Sequence, residues 1–144
     1  MPPTTARPRG HPTPGGGARR PVAGQGYFGQ ATGLTGVRNG MKVAEEEIFG
    51  PVLSVIPFTD VDDAVKQAND VFYGLASGVW TRDVKKAHVV ARRLQAGTVW
   101  VNMYNFFDPG MPFGGYKGSG FGRDLGAACL SEYTQLKSVW LNLE

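Results

Sequence analysis

Two short segments carry residue types that could do chemistry. Glu45-Glu46-Glu47-Ile48-Phe49-Gly50-Pro51-Val52 sets three carboxylates just ahead of an aromatic ring. Pro112 to Arg123 (PFGGYKGSGFGR) gathers five glycines around Lys117 and Arg123. On residue types alone the first segment is a solvated acidic cluster beside a core Phe. The second resembles a dinucleotide loop only superficially. Arg123 stands where G-x-G-x-x-G needs its third glycine, and the run does not directly join a strand to a helix. No phosphate-loop pattern precedes Lys117, so the glycines are expected to serve tight turns and close backbone approach. Cys129 is the sole cysteine, with no His, Lys or Arg adjacent in sequence to activate it. It is expected to be a small buried hydrophobe, and no catalytic residue is assigned. One cysteine and two histidines leave neither a disulfide framework nor a His-rich metal site.

The elements that must position these segments are legible from Glu45 onward. Val52, Leu53, Val55, Ile56 and Phe58 form a short β-branched run, expected as a strand buried on both faces. Asp60 suits an N-cap, followed by Val61, Ala64, Val65, Ala68 and Phe72 on one helical face, with Gly74 ending that element. Ala76–Thr81 is a second short strand. Asp83 caps a second helix whose apolar face is Val84, Ala87, His88, Ala91 and Leu94. Arg92 and Arg93 occupy its last turn, and Gly97 supplies the stop. Thr98–Val101 is a third strand. Strand and helix alternate with short links, which predicts an α/β architecture of parallel β-α-β units. Residues 124–132 are compatible with a short helix, and residues 135–143 with a terminal strand.

The 144-residue chain has 42% apolar and 19% charged residues, enough for one ordinary domain or part of a larger one. Its net charge of +3 conceals an asymmetry: residues 1–44 hold six basic side chains and no acidic ones, while the remainder balances at −3. Residues 1–25, rich in Pro, Gly and Arg, are expected to be a disordered leader. Six prolines in its first 21 residues oppose an amphipathic transit helix, and it lacks aromatics interleaved for base stacking. No apolar run approaches the ~20 residues of a membrane span. A cytoplasmic chain with no nucleic-acid or membrane partner is the expectation.

Together, the two unusual segments resemble the C-terminal part of the NAD(P)-dependent aldehyde dehydrogenase superfamily. Tyr73-Gly74-Leu75-Ala76-Ser77-Gly78-Val79-Trp80-Thr81 and Gly97-Thr98-Val99-Trp100-Val101-Asn102 follow the family pattern in order and spacing. The resemblance runs from about Gly26 to Leu143, which divides the chain into a leader over 1–25 and a family portion over 26–144. It implies that Glu47 binds the nicotinamide ribose of NAD or NADP and that Phe49 contacts the nicotinamide ring. An ionised carboxylate accepting two hydrogen bonds suits a vicinal diol. It implies further that Phe107 and Phe113 line the aldehyde tunnel, where apolar walls bind the substrate and restrict water. Tyr104 and Asn105 lie in the same segment, and Met103 holds a variable position.

The family reaction oxidises an aldehyde to a carboxylate using a Cys nucleophile, a Glu base, an Asn oxyanion donor and a Rossmann domain. In the family all four lie upstream, and none is recognisable here. The resemblance thus implies a truncated member, inactive alone. The alternative is an assembly module whose terminal strand forms a homo-oligomer or pairs with a full-length homologue. Gly29, Ala31 and Gly33 stand where the family uses larger residues or Pro, which should weaken a strand there. Exposed edges and faces would leave the isolated chain marginally folded or self-associating.

Overall fold

The computed structural model describes residues 31–144, so the 1–25 leader lies outside the described residues. The chain divides into two compact units, meeting in sequence at Val71 and Phe72. The described part of the first contains β1 (Thr32–Leu34), α1 (Lys42–Glu45), β2 (Val52–Ser54) and α2 (Val61–Asn69). β1 and β2 run parallel, with Thr32 opposite Val52 and Leu34 opposite Ser54. The Thr32 N–H donates to the Pro51 carbonyl and the Val55 N–H to the Leu34 carbonyl, each at 2.8 Å, extending the ladder at both ends. A strand therefore forms across Gly33.

Asp60 caps α2 as expected: its Oδ1 accepts from the Asp63 N–H at 2.9 Å, satisfying one of the helix's open donors. Asp63 reaches back in turn, its Oδ2 accepting from the Thr59 N–H at 2.9 Å. Val65 and Val37 are the buried apolar side chains among the described residues of this unit. At the far end, Asn39 Nδ2 donates to the Gln67 carbonyl at 2.8 Å and ties the chain before α1 to the helix terminus. The helix stops at Asn69 with Asp70 as C-cap. Gly74 is thus not its terminator.

The second unit holds β3 (Tyr73–Gly74), β4 (Ala76–Val79), α3 (Val84–Arg93), β5 (Thr98–Val101), β6 (Tyr116–Lys117), a 3-10 turn (Ala127–Cys129) and α4 (Leu130–Tyr133). β4-α3-β5 is the expected parallel unit, in register from Ala76 opposite Thr98 to Val79 opposite Val101. Asp83 caps α3 through Lys86 N–H at 3.0 Å, and Ala87 turns inward. β3 pairs antiparallel with β6, and Phe113 and Asp124 exchange two backbone hydrogen bonds of 2.7 Å. Among the described residues no helix is long and apolar enough to cross a membrane.

Several sequence expectations need correction. β2 spans three residues rather than seven, pairs with β1, and leaves Leu53 66% exposed, so it is not buried on both faces. Alternation of β-branched residues encodes extended backbone, whereas burial depends on what is laid over the strand. Ala68 and Phe72, assigned to the apolar helical face, are exposed. α3 ends at Arg93 with Leu94 as C-cap, so Gly97 serves another purpose. The helix expected over 124–132 is a 3-10 turn followed by four α-helical residues. Cys129 is partly exposed rather than buried. Residues 134–144 form no strand: Leu136, Val139, Trp140, Leu141 and Leu143 are all exposed. A strand is defined by ladder partners, and this segment meets none among the described residues.

Candidate functional site

The first candidate site residues follow directly from the end of α1. Glu45 closes the helix, and the Glu46 N–H caps it on the Lys42 carbonyl at 2.9 Å. The Glu46 carboxylate also pairs with Lys42 Nζ at 3.4 Å, an i,i+4 ion pair of modest worth. Glu47, the next residue, is exposed and takes part in neither interaction. Two residues on, Phe49 lies at φ +54°, in the left-handed region that bulky side chains avoid. Its ring is 92% exposed, so it is no core residue. The Val52 N–H closes the turn on the Gly50 carbonyl at 2.7 Å, leading straight into β2. An exposed carboxylate and an outward aromatic face are thus displayed two residues apart on one turn.

The second pair lies in the other unit, on the segment leaving β5. Asn102, at φ +55°, clamps this exit: its Oδ1 accepts from the Thr81 N–H and its Nδ2 donates to the Thr81 carbonyl, both at 2.9 Å. Asn105 makes a second left-handed turn at φ +58°. The chain then enters a run of edge-to-face rings. Trp100 meets Tyr104 at 4.9 Å and Phe107 at 5.7 Å, and Phe107 meets Phe113 at 5.0 Å with an interplanar angle of 86°. Phe107 and Phe113 are brought together as walls of a cavity of about 440 Å³. Val99, Trp100, Phe106 and Met111 also line it, with Asp108 the one charged lining residue. Asp108 is engaged in its own turn, Oδ1 accepting from the Gly110 N–H at 2.7 Å. Tyr104 supports the cavity through Trp100 without lining it, and Asn105 contributes backbone shape.

The glycine-rich segment is structural. Gly97 lies so close to the Gly114 carbonyl that a Cβ could not be accommodated, and a Cβ at Gly118 would enter the Phe72 ring. Ser119 Oγ accepts from the Gly74 N–H at 3.0 Å. Arg123 donates from Nη1 to the Gly115 and Gly122 carbonyls at 3.0 and 2.6 Å, with its guanidinium 5.4 Å from the Tyr116 ring centroid. Cys129 sits in the 3-10 turn. Among the described residues no group of three or more His, Cys, Asp or Glu could hold a metal ion.

Sequence reasoning overlooked Asn102 and Trp100 as organisers of this region. The available signal was an Asn at a strand exit, a residue that tolerates positive φ, and a Trp whose N–H must find a partner if buried.

The aldehyde dehydrogenase family model matches residues 4–139. An aldehyde dehydrogenase of Aspergillus niger is 52% identical over 119 residues, which cover 83% of this chain and 24% of that protein. Aldehyde dehydrogenase 1A1 of Homo sapiens is 47% identical over 129 residues, 90% of this chain and 25% of that protein. The solved NAD+ complex of an aldehyde dehydrogenase from Bacillus cereus superimposes with a TM-score of 0.79 at 50% identity, over 83% of this chain and 24% of that one. The chain therefore spans about a quarter of the length of these relatives.

Proposed function

The chain belongs to the aldehyde dehydrogenase family, and on that premise we propose that it carries part of an NAD(P)-linked aldehyde-oxidising site. The motifs that support this reading lie within residues 26–144, and the family model itself reaches back to residue 4. The carrying observation is the turn that presents Phe49 outward at positive φ beside the exposed Glu47. Such backbone strain clusters at active sites and ligand clamps. The chemistry of the pair fits a nicotinamide ribose: a carboxylate accepts from two hydroxyls, and a flat apolar face restrains a flat ring.

When bound, NAD(P)+ would accept a hydride from the aldehyde-derived carbon. The chain's own residues bind and shape. Glu47 holds the ribose hydroxyls, Phe49 limits the swing of the ring, and Phe107 with Phe113 walls the apolar side of the aldehyde and excludes water. No covalent step is assigned. Cys129 has no basic neighbour in sequence, and the nucleophile, base and oxyanion donor of the family reaction belong to other segments. On this reading these residues alone do not turn over an aldehyde. A cytoplasmic location rests on the lone cysteine and the absence of a long apolar run.

Thermal unfolding with and without saturating NAD+ or NADP+ tests this reading. A ligand at a hundred times its Kd stabilises the native state by about 2.7 kcal/mol, so a raised midpoint in the wild type, lost in Glu47→Gln, is expected. A midpoint indifferent to both nucleotides overturns it.

A second reading rests on the exposed Leu136, Val139, Trp140, Leu141 and Leu143. Residues 135–143 serve as an assembly strand that adds to the sheet of another copy or of a full-length homologue. Co-elution with such a homologue, lost on deleting residues 135–144, is the expected outcome.

A further inference from the structure

We infer that Trp100 is a positioning residue, setting the Phe107–Phe113 pair that walls the cavity. Trp100 stands in β5, opposite Gly78 of β4, and is 8% exposed. An indole N–H that deeply placed needs an acceptor, because leaving it unpaired costs more than the bond itself contributes. It finds the Phe106 carbonyl at 2.8 Å. That carbonyl belongs to the peptide plane joining Phe106 to Phe107, so the bond fixes the direction in which Phe107 leaves the chain.

The ring of the same Trp then meets the Phe107 ring edge-on at 5.7 Å and 89°. Backbone and side chain of Phe107 are thereby held by one residue, and Phe107 in turn meets Phe113 at 5.0 Å. The segment between Trp100 and Phe107 makes two left-handed turns, at Asn102 and Asn105. Asn102 clamps the start of that loop to Thr81, and Trp100 ties its outer end to the strand. Assigning the resulting wall to aldehyde binding rests on the function proposed above. The positioning itself does not.

The first experiment is hydrogen exchange at the three indole N–H groups of the unmodified chain. Trp80 and Trp140, 65% and 94% exposed, serve as internal references. The Trp100 N–H is expected to exchange about 100-fold more slowly than either; equal rates would overturn the assignment.

The second compares wild type with Trp100→Phe, using Trp80→Phe as control. The ring-to-ring NOE contacts between Phe107 and Phe113 are expected to be lost in Trp100→Phe alone, while the backbone resonances of β4, β5 and α3 stay in place. Phenylacetamide, an unreactive isostere of an aromatic aldehyde, is expected to bind about tenfold more weakly to that variant. Unmoved rings with unchanged phenylacetamide affinity overturn the positioning role and leave the pocket reading standing. A protected indole and displaced rings in a protein that binds no phenylacetamide keep the positioning role and remove the pocket reading. If Trp100→Phe fails to fold, the exchange rates of the wild type decide the assignment.

Discussion

At Phe49 the backbone pays a conformational cost that the side chain does not recover by packing. Left-handed backbone disfavours a bulky residue by about 1–2 kcal/mol, yet the ring is 92% exposed. Phe49→Gly removes that strain and adds about 0.5–1 kcal/mol of chain entropy to the unfolded state, so the two changes largely offset. Its unfolding midpoint is expected to shift by less than about 1 kcal/mol equivalent in either direction, while any NAD+-dependent rise disappears. Retention of the full rise in Phe49→Gly would remove Phe49 from the cofactor contact. Asp63 allows a different residue-scale test. The Gln67 side chain, then the Thr59 N–H, hold its carboxyl below the ordinary range. A depressed folded-state pKa contributes stability that is present above the unfolded value and lost as pH falls through the folded one. Denaturant midpoints measured from about pH 6 down to about pH 2 should therefore fall on the acid side. Asp63→Asn should flatten the Asp63 share of that decline; an identical acid limb would show that Asp63 contributes none.

Elements differ in how openly their sequences announce them. α2 and α3 begin at Asp60 and Asp83, and in each the aspartate Oδ1 accepts from the N–H three residues on, at 2.9 and 3.0 Å. Capping is local chemistry, settled by one side chain and its own turn, so both starts were readable. Asp83→Ala should cost about 1 kcal/mol in urea unfolding. The strands were readable only in part. Thr98–Val101 appeared as expected because β4 lies alongside it, whereas 52–58 shrank to three residues and 135–143 formed no strand. Gly97 illustrates the limit: it looked like a helix stop, and its actual role is to let β5 pass the Gly114 carbonyl. Gly97→Ala should lower stability by roughly 1–3 kcal/mol through overpacking, since backbone rather than a flexible side chain is in the way.

At the scale of the whole molecule the described chain keeps little apolar surface from water. Val37, Val65, Ala87 and Trp100 are its buried hydrophobic residues among those described, while many large apolar side chains stay exposed. Large apolar side chains left in water in such number favour association. Sedimentation velocity should therefore show association, and Trp140→Glu combined with Leu141→Glu should shift it toward monomer. A monodisperse wild-type monomer would contradict the assembly reading.

The sequence by itself determined the family and the strand–helix alternation between Val52 and Val101. Those properties reside in ordered motifs, local caps and periodic apolar positions that neighbouring residues suffice to express. It also marked Glu47, Phe49, Phe107 and Phe113 as candidates, through motif position alone. Only the tertiary structure decided that Phe49 faces outward on a strained turn, that Trp100 and Asn102 organise the segment bearing Phe107, and that the terminal segment has no ladder partner among the described residues. Burial, ring stacking and strand pairing are relations between residues distant in sequence, and no single stretch of sequence contains them.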